Sequence, residues 1–360
     1  MKLLDRYIFR QFATAFLFAS AAFALLFTLI DMVENLDEFF DRSIGFAGIS
    51  WYYLLTLPST FQITAPLSAL LASILTAGRL SASNELAAIR SAGITRNDLL
   101  RPFLVGGMII CFGNLVNASL LEPAAARARI AFQRNLLNET PRGLREETNI
   151  HILEPGNRVV TIGAFDPVRS KAMNVTIEEF DGAHLRSRKD APLMVFTPGL
   201  NKWVMQKGVI RSFGKNPAAI TFRTGNDTLD LALSSQSLRE LNLLPEEMSL
   251  LQHYRYVKEK MQAGFPALER ARVKLQAKLA MPLASLVIIL IGVPLAAVKK
   301  RSGIAAEVAL ALFIGFLFLG LQRTFATMGY NGVVEPWIAA WLPLLLFFGA
   351  GMFLLSRSDS

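Results

Sequence analysis

Leu279-Ala-Met-Pro-Leu-Ala-Ser-Leu-Val-Ile-Ile-Leu-Ile-Gly-Val-Pro-Leu-Ala-Ala-Val298 runs without a single charged side chain and is closed by lysine at both ends, Lys278 and Lys299. A helix rises about 1.5 Å per residue and the hydrocarbon core of a bilayer is about 30 Å thick, so a run of this length suits a membrane-crossing helix. The same reading finds charge-free runs at 12–30, within 43–78, at 102–121 and at 336–355, and a run from 303 to about 321 whose one charge is Glu307. Six spans follow, three before a long polar segment and three after it.

The averages agree. Of 360 residues, 52% are hydrophobic and only 18% charged, against about 45–50% and about 25% for soluble globular chains. A net charge of +9 does not point to nucleic acid, because the arginines and lysines bracket apolar runs instead of forming one basic face. The single cysteine, Cys111, lies in an apolar run, so no intrachain disulfide is possible. The first apolar run follows Lys2, Arg6 and Arg10, and Ala19-Ser20-Ala21 resembles a cleavage site. The run continues through Leu25, Leu26 and Phe27, longer than the apolar region of a signal peptide, and reads as the first membrane helix. Pro58 and Pro66 are expected to break or kink the second, and Trp51, Tyr52 and Tyr53 to sit at headgroup depth.

Eleven lysines and arginines flank the spans on the side of the termini, including Arg79, Arg90, Arg96 and Arg101 after the second and Lys299, Lys300 and Arg301 after the fourth. The other side carries Arg42, with Arg323 at a helix end. This asymmetry places both termini in the cytoplasm, and the acidic set Asp31, Glu34, Asp37, Glu38 and Asp41 outside with the polar segment 122–278. That segment contains alternating runs rich in β-branched residues, such as 158–162, 174–178, 203–211 and 220–223. Bounded by Pro-Gly, Asp-Gly and Gly-Asn turns, they predict antiparallel strands in a small β-sandwich or jelly-roll-like domain. The flanks 124–137 and 245–278 read as helical.

Catalytic signatures are absent. There is no G-x-x-x-x-G-K-[ST] to hold a nucleotide phosphate and no G-x-S-x-G elbow. His151, His184 and His253 lie far apart without zinc spacing and read as surface or turn positions.

The loop after the second span is more informative. Its sequence Arg79-Leu-Ser-Ala-Ser-Asn-Glu-Leu-Ala-Ala-Ile-Arg-Ser-Ala-Gly-Ile-Thr-Arg-Asn-Asp98 predicts a short helix over 83–93, with Ser83 as N-cap, Glu85 in the first turn and Gly93 at the C-terminus. Thr95 and Asp98 then start the third span as a capping box. Spacings of three and four put Glu85, Ala88 and Ala92 on one side, a carboxylate beside small residues that a partner can approach closely. An ordinary solvated connector helix fits the same residues.

The segment 83–96 resembles the coupling helix of the LptF/LptG (YjgP/YjgQ) permeases, membrane subunits of the ABC machine that exports lipopolysaccharide. Leu4-Asp-Arg-Tyr-Ile8, the stretch 270–284 and Trp337-Ile-Ala-Ala-Trp-Leu-Pro343 are similar to that family too. The resemblance covers the whole chain and implies an α-helical polytopic inner-membrane permease. Its expected parts are three spans with a coupling helix (1–122), a periplasmic jelly-roll-like domain (123–265) and three further spans (266–360). It implies a heterodimer with a second permease of this family on a homodimeric LptB-like ATPase, which binds the ATP and magnesium, so that this chain needs no cofactor and is no enzyme. Glu85, Leu86, Ala88, Ile89, Ala92 and Gly93 would dock on the ATPase, with Glu85 pairing a basic residue. Lipopolysaccharide would enter through gates at the first and fifth helices and pass to LptC-like and LptA-like bridge proteins. One departure stands out. The G-type permease is expected to carry lysines near the outer end of the first helix that meet lipid phosphates, whereas this chain has Asp31, Glu34 and Asp37 there.

Other cations remain candidates for an anionic lipid. Arg270, Lys274 and Lys278 share a helical face at the start of the fourth span, with Arg272 nearby, and Arg323 sits at the end of the fifth. A solvated face with ordinary snorkelling fits the first group equally, and Arg323 can pair with Glu335 or the acidic set. Glu307 is close enough in sequence to 299–301 to pair there. Phe9, Phe12, Phe16, Phe18 and Phe23 suit lipid or a neighbouring helix, or an acyl-chain cavity. A membrane-anchored scaffold or sensor whose outer domain binds a partner, without cargo passage, is the alternative to a transporter subunit. A lipid-modifying enzyme is a third reading, for which the acidic set is the one candidate site.

Overall fold

The computed structural model describes residues 3–41, 44–136, 147–154, 156–166, 169–182, 184–197, 202–213, 220–229, 231, 244–262, 268–296 and 304–357. The chain divides into two compact units, Met1–Arg129 with Glu269–Ser360, and Ile130–Leu268.

Among the described residues, the first unit supplies six helices long and apolar enough to cross a membrane. A helix pairs each backbone polar group within its own segment, which hydrocarbon demands. In chain order, α1 (Leu3–Glu34) and the short α2 (Leu36–Asp41) precede α3 (Phe46–Ala82) and the seven-residue α4 (Glu85–Ser91). The third span is composite, with α5 (Arg96–Val116), one π-helical turn (Asn117–Leu121) and α6 (Glu122–Leu136) following without a gap. After the second unit come α8 (Glu269–Ala296), α9 (Ile304–Tyr330) and α10 (Pro336–Arg357).

Burial ranks these helices. The most apolar windows of α3 and α8 are 72% and 78% buried, whereas those of α1 and α9 are each 17% buried. So α3 and α8 form the centre, and α1 and α9 lie at its periphery. Small residues let the central pair approach: Ala65, Ala69 and Ala72 on α3 and Ala284 on α8 are buried, and a methyl group at Gly292 would overlap the Ser73 hydroxyl. From α1, a stripe of Ile8, Phe12, Phe16, Ala19 and Phe23 faces inward, and Phe12 meets Phe103 edge-on at 5.6 Å. Of the five phenylalanines read from the sequence, Phe18 alone is strongly exposed, at 77%.

Two expectations are narrowed. Of the break or kink expected at Pro58 and Pro66 there is no break, since α3 runs through both. Pro66 has no N–H for the Gln62 carbonyl, and the buried Asn114 side chain donates to that oxygen instead at 3.5 Å. One turn on, Asn117 donates to the Pro58 carbonyl at 2.8 Å. Tyr52 and Tyr53 do not sit outward as headgroup anchors; both are buried, edge-on to Phe39 of α2 at 5.5 and 6.0 Å. Trp51 is the exposed member of the three.

The second unit is an antiparallel sheet inserted between the third and fourth spans. Its strands are β1 (Glu147–Glu154), β2 (Arg158–Asp166), β3 (Lys171–Asp181), β4 (His184–Thr197), β5 (Lys202–Phe213) and β6 (Ile220–Leu229), each beside its neighbours in sequence. After them comes α7 (Leu250–Gln262). Trp203, Phe165, Ile162, Met194 and Met205 lead the core of this unit. Alternation should bury every second residue of a strand. Instead Ile162 and Phe165, Ala172 and Val175, Ala191 and Met194, and Met205 and Gly208 are buried three apart. The registers put the skipped positions in one row: Asn149, Gly163, Asn174, Pro192, Lys207 and Asn226. Asn174 and Lys207 take a left-handed φ of 51°, a Cβ on Gly163 would crowd Asn174, and Asn226 accepts the Lys207 N–H at 3.0 Å. The sheet is therefore creased across its strands, and the buried face continues through the crease by changing phase.

On the opposite face, Asp190 accepts from Thr176, Arg188 and Arg211 at 3.0–3.1 Å, and Arg188 also reaches Glu178 at 3.2 Å. The two arginines are cross-strand neighbours, and Asp190 neutralises a contact that would otherwise repel.

Candidate functional site

The connector between the second and third spans forms the helix that its sequence predicts, with a shifted start. Ser83 is the C-cap of α3 and Asn84, in the left-handed conformation at φ 60°, is the N-cap of α4. The Ser83 hydroxyl lies 2.9 Å from both the Arg79 carbonyl and Glu85 Oε1. The end is as read: Gly93 has φ 79°, its N–H donates to the Arg90 carbonyl and that of Ile94 to the Ile89 carbonyl. This 5→2 and 6→1 pair is a Schellman closure. Thr95 then caps α5, accepting the Asp98 N–H at 3.3 Å.

The six residues assigned to docking separate into two groups. Leu86 is 5% exposed within the same core as Ile8, Leu80 and Leu99, and the half-buried Ile89 packs against that core. Those two side chains anchor α4, Leu86 with no outward surface and Ile89 with part of one, because an apolar side chain gains about 25 cal/mol for each Å² it withdraws from water. Ala88, Ala92 and Gly93 are exposed and Glu85 is half-buried.

Glu85 has a partner that the sequence did not announce. The Tyr7 hydroxyl at the start of α1 donates to its Oε2 at 3.1 Å across 78 residues. Tyr7 belongs to the Leu4–Ile8 stretch quoted for its family resemblance, so the residue was visible although its contact was not. Two further such stretches also meet: Trp341 of α10 donates to Gln276 of α8 at 3.0 Å.

Near this end of the bundle lies a cavity of about 790 Å³ lined by α1, α3 and Glu307 of α9. Glu307 packs against the Cα of Gly78, where any Cβ would overlap its carboxylate. Its expected pairing with 299–301 falls outside the described residues. The cavity wall includes Tyr7, Arg10 and Arg79.

The basic candidates on α8 spread along a burial gradient: Arg270 is exposed, Arg272 and Lys274 are half-buried, and Lys278 is 6% exposed. Arg270 lies over the Tyr330 ring at 5.6 Å. Arg323 is exposed and forms no ion pair among the described residues, with Glu335 or otherwise. Among the described residues no three His, Cys, Asp or Glu side chains cluster to hold a metal. His151 and His184 are exposed as read, but His253 is fully buried in α7, which corrects its reading as a surface position.

A family model described as lipopolysaccharide export system permease LptF/LptG matches residues 6–357. The chain is 25% identical to lipopolysaccharide export system permease protein LptG of Escherichia coli (strain K12), over 99% of this chain and 98% of that one. To the protein of the same name from Haemophilus influenzae it is 24% identical, over 98% of each chain.

Proposed function

We propose, for a chain that belongs to the LptF/LptG family of lipopolysaccharide export system permeases, that it is the membrane-embedded subunit that carries lipopolysaccharide out of the inner membrane. The family is a permease component and not itself an enzyme. The observation that carries the reading is the match over nearly the whole chain, on six spans interrupted by an antiparallel β domain. A scaffold without cargo passage is not favoured by that match.

The finer parts rest on what the family resemblance implies, read together with the residues. With no phosphate-binding loop of its own, the chain needs a separate ATPase, an LptB-like homodimer that binds ATP and magnesium. The exposed Ala88, Ala92 and Gly93, with Glu85 beside them, form the docking surface of α4, and Leu86 and Ile89 transmit its movement into the helix core. The excess of lysine and arginine on the α4 side supports cytoplasmic termini and a periplasmic β domain. A second permease of this family completes the cargo pathway, and LptC-like and LptA-like proteins receive the lipid. Arg270, Arg272, Lys274 and Arg323 are solvent-accessible candidates for its phosphates. Lys278 is too buried to meet a headgroup without rearrangement.

The test is photo-crosslinking from Phe18 on α1 and Phe316 on α9, both exposed, in cells making lipopolysaccharide. Adducts that require a functional ATPase partner support export; absence of adducts from both positions while the protein is inserted and abundant refutes it.

A further inference from the structure

We propose that α7 lies in the surface of the bilayer, its outward face at headgroup depth among anionic phospholipids. The inference needs only that the chain spans a membrane and stands apart from the export reading.

The faces of α7 are sorted poorly for water. Residues three and four apart share a side of a helix, and the buried side of α7 carries His253, Val257 and Lys260. His253 is fully buried and Lys260 is 4% exposed, although lysine is almost never enclosed in soluble proteins unless it is paired. Leu251, Tyr254 and Met261, which share another side with Lys258, stand 59%, 55% and 53% exposed. In water this arrangement forfeits the gain from withdrawing leucine and methionine while it bears the cost of enclosing a charged group. Where the outward side meets a medium less polar than water, those apolar residues are already withdrawn.

Charge and chain length identify that medium as a bilayer surface. Arg255 and Lys258 are exposed beside the apolar residues, and their long stems let the cationic ends reach lipid phosphates while the helix stays at the boundary. Tyr254 adds a ring and a hydroxyl that suit headgroup depth. Six residues, 263–268, separate α7 from α8 in the sequence, and a connection of that length reaches at most about 25 Å. The helix that it joins turns from charged to apolar at Leu279, ten residues or about 15 Å past Glu269. The covalent chain therefore keeps α7 within reach of headgroups. An apolar protein surface would leave Arg255 and Lys258 unmatched, whereas lipid phosphates meet both.

The test uses the full chain with cysteine-free co-purifying subunits, reconstituted in phosphatidylethanolamine bilayers with phosphatidylglycerol as the anionic component. In a Cys111→Ser background, which removes the one thiol of this chain, a nitroxide is placed at Leu251→Cys, Tyr254→Cys, Met261→Cys, Glu259→Cys and Phe348→Cys in turn. Its collisions with oxygen, which concentrates in lipid, are compared with those of a water-soluble nickel chelate. Oxygen should dominate at 251, 254 and 261, as at the exposed position 348 within α10, and nickel at 259. Arg255→Glu with Lys258→Glu should lower the oxygen-to-nickel ratio at 251, 254 and 261 several-fold, and so should exchange of phosphatidylglycerol for phosphatidylcholine. An unchanged ratio at 348 shows that the double variant is inserted, and the lipid exchange tests the same attraction without a variant. Nickel access at 251, 254 and 261 equal to that at 259, exclusion of both reagents, as by a covering protein, or no response to the lipid exchange would each overturn the proposal.

Discussion

Asn114 on α5 donates its side-chain amide to the carbonyl of Gln62 on α3, the oxygen that Pro66 deprives of its helical partner. The asparagine is fully buried, so the two helices are joined by a bond that hydrocarbon cannot replace. Asn114→Leu should lower stability in mild detergent by about 0.5–1.5 kcal/mol, the range of a buried polar interaction in a membrane bundle. Combined with Pro66→Ala, which restores the N–H, the loss should shrink. Thermal unfolding of the four proteins of this cycle measures it, and purely additive effects would refute the explanation.

Glu85 is the carboxylate on which the export reading can be tested most directly. Glu85→Ala and Glu85→Lys should both insert at normal levels, since the side chain contributes only exposed hydrogen bonds, yet fail to support lipopolysaccharide export. Export at the normal rate in both variants would count decisively against a docking role for α4. Tyr7→Phe separates the internal contact from the external one. It should raise amide exchange in α4 a few-fold, consistent with one exposed hydrogen bond worth about 0.5–1.5 kcal/mol, while leaving the fold intact.

Gly78 is glycine because Glu307 occupies the place of its side chain. Gly78→Val should cost about 1–3 kcal/mol, as overpacking does. The second-site change Glu307→Ala should recover part of it. Failure of that suppressor, measured by melting temperature, would show that another clash controls the site.

In the sheet, Asn174 sits mid-strand at φ 51°. Asn174→Gly should be tolerated or slightly stabilising, whereas Asn174→Val should lose about 1–2 kcal/mol or more, because a β-branched side chain is strained in the left-handed region. Equal melting temperatures for the two variants would contradict the crease.

The spans were legible because length and the absence of charge are local properties, and Leu279–Val298 alone carried most of the argument. Gly93 was legible too, since a helix end is written in the few residues around it. Tyr7 with Glu85, Gly78 with Glu307 and Asn114 with Gln62 were not. Each joins helices far apart in sequence, and no periodicity records which faces will meet. Pro66 does not break α3 where a neighbouring helix offers a donor, Asn114, to the carbonyl that the proline deprives, and no local pattern announces that donor. Tyr52 and Tyr53 misled because an amphipathic ring suits an interface and a core equally, and Phe39 decided between them. Leu86 and Ile89 were grouped with the docking surface because family resemblance marks a segment, whereas burial sorts its faces.

The crease through Gly163, Asn174, Pro192 and Lys207 constrains how this domain can vary in length. Residues added at a hairpin tip leave the row where it is, so loops are free to grow or shrink. A residue gained or lost within one strand on one side of the row would displace that strand's bend from its neighbours' and turn half of its core positions to solvent. Drift in this domain should therefore concentrate at the turns, and any change of strand length should occur in adjacent strands together.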